Sequence, residues 1–301
     1  MRTALLLAGL MIEFARILPA LSAEPRFSAD DVLNGVTWNA DRCDGPGRVR
    51  VDVGGRLECL RFYGTAPEGA RGDPVVFLDG DLVFQAGQTT DGQPIWNVHG
   101  FYTQLSPALM QTEAERFALS AERVFINLAR PGTYGSTGNH LQRRREREVA
   151  LVDAALDQLK SRFGWTRMTL SGHSGGGHLV AALMARRNDV GCAIIAAGNV
   201  AVKMRAGEHG KAADTTGYAD SLDPIDLVAE VARHPPDRIV LLTDPQDQTV
   251  SASSQAAYRD ALRAAGVSVE QRMIIGYGPQ RHDLRVPAIV AALTCAPGAK
   301  R

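Results

Sequence analysis

A serine flanked by glycines lies between an apolar segment and a helical pattern. Met168–Ser171 has the composition of a buried strand and runs directly into Gly172-His173-Ser174-Gly175-Gly176, after which the apolar spacing becomes helical. G-x-S-x-G at such a junction is typical of a strained turn that exposes the serine Oγ at the edge of a sheet. We therefore predict that Ser174 is a nucleophile. The backbone N–H of Gly175, at the start of the helix, would face a developing oxyanion.

The same glycines could instead form a phosphate-binding loop or a plain turn. A phosphate-binding P-loop carries a lysine directly before its Ser or Thr, and this sequence has His173 at that position. The position of the motif between a strand and a helix also favours a nucleophile over a plain turn.

A serine nucleophile needs a base to take its proton, and neutral imidazole is the usual one. His282 follows the last strand pattern, Val267–Ile275, and loops after parallel strands gather at the edge where α/β sheets bind ligands. His282 is therefore the predicted base. His173 adjoins Ser174 and is expected to line the pocket or to pack, and His178 is expected only to pack. The other histidines lie in irregular segments and are expected at the surface: His99, His140, His209 and His234.

The imidazole in turn needs a carboxylate that fixes its tautomer and stabilises its cation. The strand pattern Arg238–Leu242 leads into a loop with two candidates, Asp244 and Asp247. Asp244 is closest to the strand end, and Asp247 is deeper in the loop. Both fit the chain order of serine, acid and histidine.

Short apolar runs alternate with helical patterns from residue 74 onward. Strand patterns at 74–78, 123–128, 168–171, 192–197, 238–242 and 267–275 are interleaved with helical patterns at 148–163, 176–186, 251–265 and 285–293. The strands are apolar on both faces, which is typical of a mostly parallel sheet. We predict an α/β fold with a doubly wound sheet, helices on both faces and a catalytic domain over 74–295. The polar stretch 199–237 is a possible short cap or insertion.

The four cysteines lie in two regions of the chain. Cys43 and Cys59 flank an alternating pattern around Gly54-Gly55, so residues 24–73 read as an antiparallel β extension containing a hairpin that a disulfide could close. Cys192 and Cys295 could form a second bridge. Four cysteines allow three pairings, and their spacing does not choose among them.

The N-terminus resembles a secretion signal. Arg2 precedes an apolar run, Ala4–Ile12, and Ala20–Ala23 offers small residues for cleavage, so residues 1–23 are a predicted signal peptide and the protein is expected to be periplasmic or secreted. Glu13 and Arg16 interrupt the apolar stretch, which leaves a cytoplasmic protein with a short amphipathic helix as the alternative. No other segment has the length of a membrane span.

Charge and metal-ligand patterns exclude several classes of partner and cofactor. Lys plus Arg equals Asp plus Glu at 33 each, so we expect neither nucleic acid nor an anionic membrane as a partner. The one basic cluster is interrupted by acidic residues and is predicted to be a solvated helix face. It comprises Arg143, Arg144, Arg145 and Arg147. The Cys and His spacing suggests no metal, and no cofactor is expected.

Taken together, these motifs resemble the α/β-hydrolase superfamily over about residues 70–295. Beyond the serine motif, the segment Arg130–Ser136 is similar to the family's R-P-G-x-x-G-S turn, which makes Tyr134 a pocket candidate. Asp247–Val250 is similar to the D-x-x-V that carries the acid, and His282-Asp283 supplies the histidine. The resemblance thus favours Asp247 over Asp244.

The resemblance also implies a second oxyanion donor. The triplet Asp79-Gly80-Asp81 corresponds to the family's H-G-x, which implies donation by the N–H of Asp81 and makes Gly80 a pocket residue. The chain departs from the family here, because Asp79 replaces the histidine and Asp81 adds a carboxylate. A carboxylate near a developing oxyanion is unfavourable unless it is paired or points away. In the alternative, Asp79 or Asp81 only caps a turn.

The resemblance implies acyl transfer to water through an acyl-enzyme on Ser174. The spacing from Asp247 to His282 is similar to the dienelactone-hydrolase and prolyl-oligopeptidase-like branch, and no propeller domain precedes it. We therefore expect an exported carboxylesterase that acts on a small ester. The alternatives are an exported serine peptidase or amidase that acts on a short peptide, and a non-catalytic binding protein on the same scaffold.

Overall fold

The computed structural model describes residues 25–43 and 45–295. The predicted signal peptide, residues 1–23, lies outside the described residues. No helix of the described ranges combines the length and the apolar character that crossing a bilayer requires.

Eight strands form one sheet in the order β1-β2-β6-β3-β7-β8-β9-β10, and β4 and β5 form a separate antiparallel hairpin. In the main sheet, β1 pairs antiparallel with β2 and β2 pairs antiparallel with β6, while all other neighbours are parallel. The strands are β1 Arg48–Val53, β2 Arg56–Thr65, β3 Val75–Leu78, β4 Val83–Gln88, β5 Pro94–Val98, β6 Phe125–Leu128, β7 Met168–His173, β8 Val190–Ala196, β9 Arg238–Thr243 and β10 Glu270–Met273.

Both faces of the sheet are buried under helices. Because successive side chains of a strand point to opposite faces, Val76 and Leu78 of β3 belong to one core and Val75 and Phe77 to the other. Helices α3, α4 and α7 contribute to the first core, and α2 and α8 to the second. The helices are α1 Ala29–Asn34, α2 Pro107–Ala121, α3 Glu146–Phe163, α4 Gly175–Met184, α5 Val202–Glu208, α6 Val228–Arg233, α7 Ala252–Ala264 and α8 Arg285–Leu293. The predicted doubly wound, mostly parallel sheet is confirmed.

The N-terminal extension is a β structure only in its second half. The hairpin β1–β2 turns at Gly54-Gly55, as predicted, and adds an antiparallel edge to the sheet. Residues 25–43 instead contain α1 and a 3₁₀ turn at Ala40–Arg42. The Ser28 hydroxyl caps α1 by accepting the Asp30 N–H, and that local bond favours a helix over a strand.

Two segments extend from the main sheet at its carboxyl edge. The first is the hairpin β4–β5, which the sequence patterns did not predict and which leaves Phe84 42% exposed. The second is 199–237, which contains α5, α6 and a 3₁₀ turn at Pro224–Leu227. Both segments flank the turn that contains Ser174.

The cysteines pair as Cys43–Cys59 and Cys192–Cys295, with Cα atoms 5.5 and 6.5 Å apart. The first bridge joins the segment before β1 to β2. The second joins β8 to the residue that follows α8, and both of its cysteines are buried. Disulfides persist in oxidising compartments such as the periplasm and the extracellular space.

The two bridges should differ in their contribution to stability. Bridge Cys192–Cys295 closes 103 residues and Cys43–Cys59 closes 16. A longer closed loop removes more entropy from the unfolded chain. Replacing Cys192 and Cys295 by alanine should therefore lower the free energy of unfolding by about 5 kcal/mol, and replacing Cys43 and Cys59 should lower it by about 3 kcal/mol. Urea unfolding of the two double variants measures this order. A larger loss in the Cys43→Ala/Cys59→Ala protein would contradict it.

Candidate active site

Ser174 occupies the turn between β7 and α4 with backbone angles φ 53° and ψ −116°. A non-glycine residue with positive φ is strained, and such strain is common where a side chain must be held in a fixed direction. The turn is possible only because the neighbouring glycines lack side chains. A Cβ on Gly172 would lie 2.3 Å from the Gly176 carbonyl, and one on Gly176 would lie 2.0 Å from the Leu78 oxygen.

A chain of hydrogen bonds connects Ser174 to a histidine and a carboxylate. His282 Nε2 lies 2.9 Å from Ser174 Oγ, and His282 Nδ1 lies 2.8 Å from Asp247 Oδ2. The Asp247 side chain is fully buried, whereas that of His282 is 16% exposed. The other Asp247 oxygen accepts the N–H groups of Thr249 and Val250 at 2.7 and 2.9 Å. The carboxylate is therefore fixed in direction and faces the imidazole.

Asp244, the other acidic candidate, faces away from the histidine. Its oxygens accept the N–H groups of Gly276 at 2.6 Å and Gln246 at 2.8 Å, and the Arg281 guanidinium at 2.7 Å. Burial opposes ionisation, but these bonds outweigh it and lower the pKa of Asp244. Asp244 thus joins the loop after β9 to the loop after β10, and Asp247 is the acid within reach of His282.

His173 packs beside the imidazole of His282, with ring centroids 5.0 Å apart. Its Nε2 donates to the His282 carbonyl oxygen at 2.9 Å, since a carbonyl can only accept. Burial, and then the neighbouring His282, lower the pKa of His173 to about 4, so His173 is neutral at neutral pH. His173 therefore holds the backbone of the histidine loop.

Two backbone N–H groups beside Ser174 have no hydrogen-bond partner among the described residues, those of Gly175 and Asp81. Gly80 brings the Asp81 loop close to the serine, because a Cβ on Gly80 would lie 3.2 Å from Ser174 Cβ. The Asp81 carboxylate lies against Gly175, where a Cβ would be 2.0 Å from Oδ1. Unpartnered N–H groups at this position can bind a negatively charged oxygen.

The Asp81 carboxylate is paired with three arginines. It accepts Arg130 at 2.9 Å and Arg143 at 3.1 Å, and it forms an ion pair with Arg144. Burial favours the neutral acid, but Arg144, Arg143 and Arg130 outweigh it and hold the pKa of Asp81 well below its usual range. The negative charge that the sequence placed near the oxyanion position is therefore compensated.

The predicted solvated helix face at Arg143–Arg147 is wrong for its first two members. Arg143 and Arg144 are 2% exposed and precede α3, which begins at Glu146. Arg144 also binds Asp214 at 2.9 Å, and Glu148 accepts Arg130 at 2.9 Å. Because buried carboxylates face them, these arginines can leave water. The Arg144–Asp214 contact also ties segment 199–237 to the serine site.

The expectation for His140 needs correction, and the turn-capping alternative for Asp79 does not hold. His140 is buried rather than exposed at the surface, and its Nε2 accepts the Leu82 N–H at 3.1 Å, which fixes the loop after Asp81. Asp79 does not merely cap a turn: its oxygens accept Arg285 at 2.8 Å and Asn127 at 3.1 Å. Asp79 thus holds Arg285 at the start of α8.

A cavity of about 1480 Å³ opens over Ser174 and His282. Its lining includes the predicted pocket residues Gly80, Tyr134 and His173. Sequence reasoning missed several groups that also line it, namely Phe84, Trp96, Arg143, Arg144, Asn199 and Arg205. Asn199 could have been recognised, because it follows a strand at the carboxyl edge where ligands bind. The arginines carried no local signal, because their partners are distant in sequence.

The paired acid Asp214 predicts how stability depends on pH. Burial works against it, but Arg144 and the hydrogen bonds from Thr216 lower the pKa of Asp214 to about 2, from an ordinary value of 3.8. A lowered folded-state pKa adds stability that is complete above about pH 4 and is lost as pH falls toward 2. As the pH falls from 4 to 2, the free energy of unfolding of the wild-type protein should drop by about 2 kcal/mol more than that of the Asp214→Asn variant.

Urea unfolding at several pH values measures this difference. Asp220→Asn is the matched control, because Asp220 lies in the same segment but pairs with Arg145 at the surface. Its pH dependence should stay close to that of the wild type, because an exposed ion pair contributes little to stability. A wild-type slope equal to that of Asp214→Asn would contradict the assigned pairing.

Comparison with known proteins finds relatives in structure alone. No protein-family model matches the sequence, and no curated protein matches it. An esterase of Pyrococcus furiosus is similar at a TM-score of 0.55 and 12% identity, over 88% of this chain and 91% of that one. Est1E of Butyrivibrio proteoclasticus, solved with ferulic acid bound, is similar at a TM-score of 0.56 and 14% identity, over 81% and 96% of the two chains.

A third solved structure, the uncomplexed acylaminoacyl peptidase of Pyrococcus horikoshii, has a TM-score of 0.52 and 12% identity. The match covers 82% of this chain but 39% of the peptidase. These likenesses agree with the strand order and with the placement of helices on both faces of the sheet. Together with the turn at Ser174, they show that this chain has the α/β-hydrolase fold.

Proposed function

We propose that this protein is an exported serine hydrolase that cleaves a carboxylic ester through an acyl-enzyme. The observation that carries the proposal is the hydrogen-bonded chain from Ser174 Oγ through His282 to the buried carboxylate of Asp247, with distances of 2.9 and 2.8 Å. A serine, a histidine and an acid in this arrangement are the groups that acyl transfer requires.

In the first half of the reaction, Ser174 Oγ attacks the ester carbonyl carbon while His282 Nε2 takes the hydroxyl proton. Asp247 accepts the Nδ1–H and stabilises the imidazolium. The negative oxygen of the tetrahedral intermediate accepts the N–H groups of Gly175 and Asp81. When the intermediate collapses, His282 returns its proton to the alcohol, which leaves.

In the second half, water attacks the acyl group on Ser174. His282 takes a proton from the water and passes it to Ser174 Oγ as the acyl–oxygen bond breaks. The carboxylic acid is released and the free serine is restored. The arginines around Asp81 contribute by compensating the only carboxylate that adjoins the oxyanion position among the described residues.

Export is supported by the two disulfides and by the signal-like N-terminal sequence. The cavity over Ser174, at about 1480 Å³, has room for a small ester and for larger ones. A peptidase is the second candidate, because an amide substrate needs the same catalytic groups. Relative turnover of p-nitrophenyl acetate and alanine p-nitroanilide decides between them, and faster anilide cleavage would favour the peptidase.

Covalent labelling tests the nucleophile. A fluorophosphonate should label the folded wild-type protein and should not label Ser174→Ala, because only an activated serine attacks phosphorus at a useful rate. Gel fluorescence or intact-protein mass spectrometry measures the adduct. Ser120→Ala changes an exposed serine of α2 and should label as the wild type does. No labelling of the folded wild type would favour a non-catalytic binding protein.

The two aspartates separate catalysis from stability. Asp247→Asn should lower kcat for p-nitrophenyl acetate on the order of 10⁴-fold, because the amide can no longer fix the productive imidazole tautomer. Asp244→Asn should change kcat less than about tenfold but lower the free energy of unfolding by about 1–3 kcal/mol, because Arg281 loses its buried partner. Steady-state kinetics and urea unfolding of both variants measure these effects. The opposite order would show that Asp244 is the acid.

A further inference from the structure

One arginine of the cavity wall lacks a carboxylate partner among the described residues. Arg205, in α5, uses its Nε to donate to the Thr249 carbonyl oxygen at 2.7 Å. Its two terminal nitrogens have no partner in the described ranges, and the side chain lines the cavity that contains Ser174. The open end of its guanidinium therefore faces the space that a substrate would occupy.

The acidic groups near Arg205 are already engaged elsewhere. Asp214 and Asp81 pair with Arg144, and Asp247 faces His282. Burial, and then repulsion from Arg144, lower the pKa of Arg205. Among the described residues, no carboxylate forms an ion pair with this half-buried guanidinium, and Asp214, Asp81 and Asp247 act on it only from a distance.

A second, independent observation comes from the same cavity. Asn199 follows β8, lines the same cavity and is only 3% exposed. Neither its amide nitrogen nor its amide oxygen has a hydrogen-bond partner among the described residues. Buried amides are rarely left without hydrogen-bond partners, so a polar group of a ligand is the expected partner at this position. Lys211 adds a further cation to this wall and is exposed to solvent.

We infer that Arg205, Asn199 and Lys211 form a subsite for a carboxylate group on the substrate. The inference rests on the proposed function and specifies its substrate class: esters that carry a second, free carboxylate, such as monoesters of dicarboxylic acids. The terminal nitrogens of Arg205 match the two oxygens of a carboxylate. The Asn199 NH₂ supplies a further donor, and Lys211 attracts the anion toward the serine.

The acidic groups elsewhere in the cavity do not oppose this assignment. Glu113 and Asp79 both pair with Arg285 at the start of α8. Because two carboxylates share the single guanidinium of Arg285 and Asp283 lines the cavity as well, this wall is acidic, whereas the wall at Arg205 is cationic. A carboxylate on the substrate can accept from the terminal nitrogens of Arg205 and from the Asn199 NH₂, and its charge pairs with the guanidinium, whereas an ester carbonyl oxygen accepts without a charge to pair.

Binding to the Ser174→Ala protein tests the subsite without requiring catalysis. By isothermal titration calorimetry, monomethyl glutarate should bind at least tenfold more tightly than dimethyl glutarate. Arg205→Gln in the Ser174→Ala background should weaken monoester binding at least tenfold. Lys203→Gln is the matched control, since Lys203 lies on the same helix, is 74% exposed and pairs with Asp226. It should bind as the parent does.

Kinetics of the active enzyme add a second readout. The ratio of kcat/KM for monomethyl to dimethyl glutarate should fall at least tenfold in Arg205→Gln, mainly through KM of the monoester. Diester turnover is the internal reference: a loss common to both esters would reflect the bond of Arg205 to the Thr249 carbonyl oxygen, and the ratio cancels it. Circular dichroism checks that the variant folds. Arg205→Lys keeps the charge and should recover part of the preference.

Equal binding of the two esters, or a monoester affinity unchanged by Arg205→Gln, would overturn the subsite. Selective binding of the monoester by Ser174→Ala supports the subsite whether or not the wild-type protein hydrolyses either ester. If the wild-type protein hydrolyses neither ester, that result counts against the proposed hydrolase and not against the subsite. Hydrolysis of both esters at equal kcat/KM would overturn the subsite and leave the hydrolase intact.

Discussion

The surroundings of Ser174 depend on the balance between one buried carboxylate and the arginines that hold it. Removing charges from water is costly, and the cost is offset only while every partner stays in place. Asp81 belongs to the loop after β3, and Asp214 belongs to segment 199–237. The chain between β6 and α3 supplies Arg130, Arg143 and Arg144. Three segments distant in sequence are thus held in one arrangement around the serine.

This balance explains how the chain can depart from the family pattern at Asp79-Gly80-Asp81. The carboxylate of Asp81 packs on Gly175, and its charge is directed at guanidinium groups, so the N–H groups of both residues are left for another acceptor. Asp79 does a different task, because its ion pair with Arg285 anchors the helix that follows the His282 loop. The two acidic residues of the triplet therefore fix opposite sides of the same cavity.

The parts of the site that could be predicted were those governed by short-range rules. The strand, the glycine-rich turn and the helix around Ser174 are contiguous, and the position of His282 follows from the way parallel strands share one edge. The choice of Asp247 over Asp244 needed the family resemblance, because both follow β9. Only their contacts in the folded protein distinguish them: Asp247 faces His282, and Asp244 is bonded to Gly276 and Arg281.

Burial of charge was not predictable in the same way. The partners of Arg143 and Arg144 lie 62 and 70 residues away, and the acidic residues that interrupt the basic cluster made both arginines look solvated. The hairpin β4–β5 escaped detection because it leaves the main sheet and buries little, so its pattern is not that of a core strand. Among the described residues, the Asn199 amide and the terminal nitrogens of Arg205 have no partner, and only the folded structure shows this.

The bridge Cys192–Cys295 has a consequence for how the site is assembled. It closes a covalent ring of the chain that contains both Asp247 and His282, while Ser174 lies outside the ring. In an oxidised but unfolded chain, the acid and the histidine are confined to the same closed loop. This confinement raises the effective concentration of one relative to the other. Only the serine turn has then to find its partners from outside the ring. Oxidation thus reduces the search for three residues to the docking of one on a tethered pair.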